Sequence, residues 1–155
     1  MSIQKPREIA FRILTERLHQ REFSEVLLDR ALQRNPLPPN DRRLCQELVF
    51  GVVRWSATLD WLIRQKTGGR TQKAALQTLL ELGLYQMFWL DRIPPHAAVH
   101  ESVQLAKTAG YGAQSGFINA VLRAYSRELD TTRTALHDLK RNTPHLGFSH
   151  PEWLC

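Results

Sequence analysis

His96 and His100 stand four residues apart after a double proline, a spacing that on a helix brings both imidazoles to one face. Such a pair could supply part of a metal site, yet no carboxylate pair or further ligand converges on it, and surface histidines are the simpler reading. Cys45 and Cys155 are the only cysteines. They suggest neither a disulfide framework nor a zinc site, they lack a nucleophile's sequence context, and they fit a reducing cytoplasm. No strand runs into a glycine-rich turn that opens a helix, so the signature of a nucleotide-binding unit is missing. Taken alone, these residues predict no catalysis; whether they form part of an enzyme stays open.

Cations are the other candidates, because Lys and Arg on phosphates supply most nucleic-acid affinity and aromatic faces add stacking with unpaired bases. Lys5, Arg7 and Arg12 fall in the first predicted helix, interleaved with Glu8 and Glu16. They read either as a solvated face or as a contact surface. Arg42 and Arg43 open a helix, where the dipole opposes them; Asp41 or Glu47 must offset them, or an RNA phosphate must. Phe50, Arg54, Ala57 and Trp61 recur at helical spacing, either as core with a pairing arginine or as a base-stacking stripe. Asn119 is a poor residue for a helix interior, so it needs a partner, either a loop carbonyl near Pro94 or a ligand. Arg123, one turn on, is a candidate ligand contact.

Apolar residues recur at helical spacing and β-branched alternation is absent, so the elements that carry these side chains are predicted to be all-α. Helices are expected at 5–19, 24–34, 41–65, 71–91, 95–108 and 113–129, with a weaker one at 132–140 and an irregular, mobile tail from 141. Ile9, Ile13, Leu14 and Leu18 form the first buried stripe, and Ser24 is a candidate cap of the second helix. Asn40 or Asp41 should cap the third. The fourth is apolar almost all round, which puts it in the middle of the bundle. Gly51 and Gly83 lie inside buried stripes, where glycine costs about 1 kcal/mol relative to alanine, and are read as points where helices cross closely.

At 155 residues, with 43% apolar and 23% charged side chains, the chain fits one soluble domain with a core of its own. No apolar run is long enough to span a membrane, and the charged N-terminus fits no secretory signal. A net charge of +6 favours a polyanionic partner.

Three segments together carry a resemblance. They are Arg7-Glu8-Ile9-Ala10-Phe11-Arg12-Ile13-Leu14, then Asp41-Arg42-Arg43 through Glu47-Leu48-Val49-Phe50-Gly51-Val52-Val53-Arg54. The third runs Leu82-Gly83-Leu84-Tyr85-Gln86, Arg92-Ile93-Pro94-Pro95-His96-Ala97-Ala98-Val99-His100, and Phe117-Ile118-Asn119-Ala120-Val121-Leu122-Arg123. In this order they resemble the NusB-like RNA-binding domain of rRNA 5-methylcytosine methyltransferases of the RsmB (Sun) type. The ending Ser149-His150-Pro151-Glu152-Trp153 is similar to that family's lead-in to its methyltransferase domain.

The resemblance implies a compact NusB-like bundle of six to seven helices over 1–140, and a linker over 141–155. It implies small-subunit rRNA as partner, with a ribosomal protein or a methyltransferase domain as further candidates, and neither membrane nor metal. S-adenosylmethionine would belong to a catalytic domain outside this chain, and Cys155 does not match that domain's Pro-Cys context. On this view the RNA contacts are drawn from Lys5, Arg7, Arg12, Arg42, Arg43, Arg54 and Arg123. A free-standing NusB-like antitermination factor is the alternative, and a pure protein-interaction module the third reading.

Overall fold

The structure, a computed structural model, describes residues 5–20 and 24–149, with side chains described at 5–16 and 25–149. Among these residues every regular element is helical: α1 (Lys5–Gln20), α2 (Ser24–Arg34), α3 (Pro39–Arg54), α4 (Ser56–Thr67), α5 (Ala74–Trp89), α6 (Pro95–Thr108), α7 (Ser115–Arg127), α8 (Leu129–Asn142) and α9 (Pro144–Gly147), with a 3-10 turn at Gly112–Gln114 before α7. The predicted all-α class therefore holds. The side chains of Leu18 and Ser24 and the segment containing Trp153, Leu154 and Cys155 lie outside what the structure describes.

Local chemistry explains most boundaries. Pro39 and Pro95 open α3 and α6, positions where a missing N–H costs nothing and a fixed φ suits the helix. Pro38, not Asn40 or Asp41, is the residue before α3, and no side chain caps it. Gly68 closes α4 in the left-handed region at φ 63°, its N–H bonded to the Arg64 carbonyl. Gly110, at φ 92°, ends the run after α6.

The centre is α5, which packs against α1, α3, α4, α6 and α7. Leu76, Leu79, Leu80, Leu82, Leu84 and Met87 are all buried on it, as its all-round apolar pattern requires. Gly51 of α3 faces the Tyr85 ring so closely that a Cβ there would collide with it. At Gly83 a Cβ would lie 2.7 Å from Leu122 and 2.8 Å from Ser102. Both glycines thus admit close approaches, although what enters the space is a side chain of the crossing helix.

Two expectations are corrected. The single helix over 41–65 is two helices, broken at Trp55, whose φ of −104° and ψ of 19° leave the α region. No Gly or Pro marks the break; its reason is tertiary, because the Trp55 ring sits 5.2 Å from that of Trp89 on α5. The irregular tail is also helical further than expected, with α8 reaching Asn142 and α9 following, so the helices exceed six to seven. The α9 turn docks on α4: Thr58 donates to the Leu146 carbonyl, the Ala57 N–H donates to Ser149 Oγ at 3.0 Å, and Gly147 lies against the Lys140 backbone.

Candidate nucleic-acid interface

α1 packs against α3, and the Asp41 carboxylate in the first turn of α3 favours the charged form of Arg7 on α1. Lys5 and Arg12 are carried on α1 and Arg42 and Arg43 near the start of α3, the last three exposed. Neither carboxylate expected to offset Arg42 and Arg43 does so: Glu47 pairs with Arg92 at 2.9 Å, and Asp41 faces Arg7. Arg43 Nη2 donates to Asn40 Oδ1 at 3.3 Å, a neutral partner. Among the described residues Arg12, Arg42 and Arg43 form no ion pair. Their charge is therefore available to an external anion.

Arg12 also edges a cleft of about 190 Å³ between α1 and α2, shared with Glu16, Arg30, Arg34 and Asn35. Arg30 and Arg34 were not singled out from the sequence. Their one-turn spacing at the end of α2 was the available signal, and it also fits a helix C-terminus that attracts cations.

Arg7 differs from its neighbours. It is 7% exposed, and its Nε donates to Gln86 Oε1 of α5 at 2.8 Å. Burial lowers its pKa, and the Glu101 and Asp41 carboxylates act in the opposite direction. Such a side chain links α1 to the core and cannot reach a phosphate on the surface, so the expectation for Arg7 is corrected on grounds of burial.

Arg54 stands at the other end of α3. Its Nη1 donates to the Phe148 carbonyl at 2.6 Å, and its guanidinium lies 4.4 Å from the Trp55 ring centre. The stripe it was expected to share does not exist as one face, because the break at Trp55 moves Ala57 and Trp61 onto α4. Phe50 is 42% exposed and so does not belong to the core.

Arg123 and Asn119 meet His96 and His100 between α6 and α7, around a cavity of about 170 Å³. Arg123 Nε donates to Asn119 Oδ1 at 3.1 Å, so the asparagine orients an arginine where a loop carbonyl or a ligand was expected. Among the described residues no group of three or more His, Cys, Asp and Glu could hold a metal ion. None of their helices is long and apolar enough to cross a membrane.

With this geometry in hand, comparisons place the chain among known proteins. The sequence profile of the NusB family matches residues 4–127. The chain is 42% identical over 151 residues to a probable ribosomal RNA small subunit methyltransferase B of Synechocystis sp., covering 96% of this chain and 33% of that protein. A probable methyltransferase of the same description from Bacillus subtilis is 35% identical, again over 96% of this chain and 33% of its own length. The Escherichia coli ribosomal RNA small subunit methyltransferase B is 37% identical over 77% of this chain and 29% of its own. The chain thus spans about a third of the length of the curated relatives it matches. In fold it is similar to NusB of T. maritima, with a TM-score of 0.74, 19% identity, and coverage of 83% of this chain and 92% of that one. It is equally similar to a chain in a crystal structure of a plectonemic RNA supercoil, with a TM-score of 0.74, 22% identity, and coverage of 81% and 94%.

Proposed function

Because the chain belongs to the NusB family, we propose that it is an RNA-binding domain of an rRNA cytosine-5 methyltransferase, placing small-subunit rRNA for a catalytic domain. In this reading residues 1–140 bind RNA, 141–155 lead toward the methyltransferase domain, and the protein works in the cytoplasm. Lys5, Arg12, Arg42 and Arg43 contact phosphates, and Arg54 and Arg123 contribute at the flanks. Arg7 supports them from inside the fold.

The observation that carries the reading is the set of cations on α1 and at the start of α3 that form no ion pair among the described residues, in a chain that resembles rRNA methyltransferases over nearly all its length. S-adenosylmethionine, the donor such an enzyme uses, does not fit the residues here. Gly68, Gly69, Gly110 and Gly112 border open space, and all regular elements among the described residues are helices or one 3-10 turn. No step of methyl transfer is derived from them.

The test is a fluorescence-anisotropy titration of a small-subunit rRNA hairpin at graded salt. Binding that weakens linearly in log salt, and a slope reduced in R12A/R42A/R43A, is the expected result. Absent or salt-independent binding would overturn it.

A further inference from the structure

We propose that the cleft between α8 and the α4–α5 pair is a second nucleotide site, taking one unpaired base of single-stranded RNA against Phe88 and Trp89 and its phosphates on Arg133 and Lys140. This rests on the RNA-binding reading above and adds a site that none of the sequence-derived candidates occupies. Arg133, His137 and Lys140 fall at i, i+4 and i+7 on α8 and so share one face. With the two rings they line a cavity of about 270 Å³, near the lower end of small-ligand pockets at about 300–1,000 Å³. No carboxylate lines it.

The two cations sit over rings. The Arg133 guanidinium is 6.0 Å from the Phe88 ring centre, and Lys140 Nζ is 5.6 Å from that of Trp55 and 5.5 Å from that of Phe148. Neither forms an ion pair among the described residues. When Arg133 swings from the Phe88 ring to a phosphate it exchanges a cation–π contact for a charge-assisted hydrogen bond and uncovers that ring for a base, while Lys140 supplies a second phosphate contact. An acidic peptide would engage the cations and leave the aromatic wall unused, so the combination favours a nucleotide. The wall itself is held in place, because Phe88 packs edge-on against Tyr125 at 5.9 Å and Trp89 stacks on Tyr85 at 5.8 Å. The family match ends at residue 127, so the cationic wall on α8 lies beyond the shared NusB portion, whereas Phe88 and Trp89 lie within it.

The experiment titrates the 155-residue chain with an eight-nucleotide oligouridylate, read by anisotropy and by tryptophan emission. Binding should quench the emission. R133Q/K140Q should bind roughly tenfold more weakly, quench less, and lower the log–log salt slope by about 1.4, as expected for two single-strand phosphates. The charge-preserving R133K/K140R should retain affinity. A 4-thiouridine oligonucleotide crosslinked to the parent chain should label a peptide within 129–142, a readout that needs no variant. If R133Q/K140Q binds and quenches like the parent while R12A/R42A/R43A loses affinity, the second site is wrong and the first stands. If the parent binds no RNA of any kind, both fail. Displacement by polyglutamate as readily as by oligouridylate would overturn the base-stacking part.

Discussion

Two ends of this bundle carry positive charge in different company. On α1 and at the start of α3, Arg12, Arg42 and Arg43 are exposed without a cation–ring contact among the described residues, and Arg43 bonds to a neutral amide, that of Asn40. At the α4–α8–α9 end Arg54, Arg133 and Lys140 lie over Trp55, Phe88 and Phe148. Equal charge therefore does different work. A bare guanidinium can only follow a phosphate backbone, whereas a cation that can leave a ring for a phosphate also offers that ring to an unpaired base. At that end the break at Trp55 sets its ring 5.2 Å from Trp89 of α5, beside the Phe88 that Arg133 covers.

The largest expected effect removes the first of these regions. R12A/R42A/R43A should weaken binding of a structured rRNA hairpin by roughly 30- to 100-fold at low salt and reduce the slope by about 2–3. If the loss appears equally in 1 M salt, the arginines act through the fold and the contrast collapses.

Next comes the cation hidden beneath that region. Arg7→Ala leaves Gln86 Oε1 without its donor and removes the charge facing Glu101 and Asp41, so the urea midpoint should fall by an amount equivalent to about 2–3 kcal/mol. RNA affinity of the folded fraction should not change. A variant of normal stability and poor RNA affinity would place Arg7 on the surface after all.

A smaller, pH-dependent effect sharpens the same distinction between interior and surface. Burial pushes the Cys45 thiol up to about 12 from 9.0, and burial also raises Tyr125, which donates to the Leu62 carbonyl. A folded-state pKa above the unfolded one gives stability that is complete below the unfolded pKa and is lost as pH rises toward the folded one. Denaturation midpoints should therefore be level to about pH 9 and decline above it, and Cys45→Ala should flatten part of that decline. An unchanged alkaline limb in this variant would show that Cys45 titrates normally.

The smallest effect concerns the second region. Arg54→Ala removes the hydrogen bond to the Phe148 carbonyl and the cation–ring contact with Trp55, both at an exposed side chain, and should cost about 1 kcal/mol. Amide exchange should quicken at 144–149 and nowhere else. Protection unchanged there would mean that Thr58 and Ser149 hold α9 unaided.

Much of this was legible in the residues. The α2 and α6 boundaries followed from proline, glycine and helical spacing, and the central place of α5 followed from its apolar circumference. The break at Trp55 was not legible, because Val52-Val53-Arg54-Trp55-Ser56 contains no breaker and the cause is a ring on another helix. The α9 turn was missed although Thr143-Pro144 is a usable start signal, since one turn leaves no periodicity to detect. For the site, sequence identified which side chains were charged but not which way they faced. Arg7 and Arg12 lie five residues apart on one helix, and only the packing of α5 decides that one is buried and the other exposed. Asn119 needed a partner, as expected; that the partner was Arg123 one turn away depended on rotamers that spacing does not determine.

The bond between Arg7 and Gln86 spans 79 residues of chain. During synthesis the first helix emerges long before the fifth, so although α1 can already pack on α2 and α3, the Arg7 guanidinium must wait for its acceptor until more than half the domain has been made. Closure of this bond is then a late event that follows completion of α5. Only after it is the interior beneath the exposed cations of α1 and α3 complete.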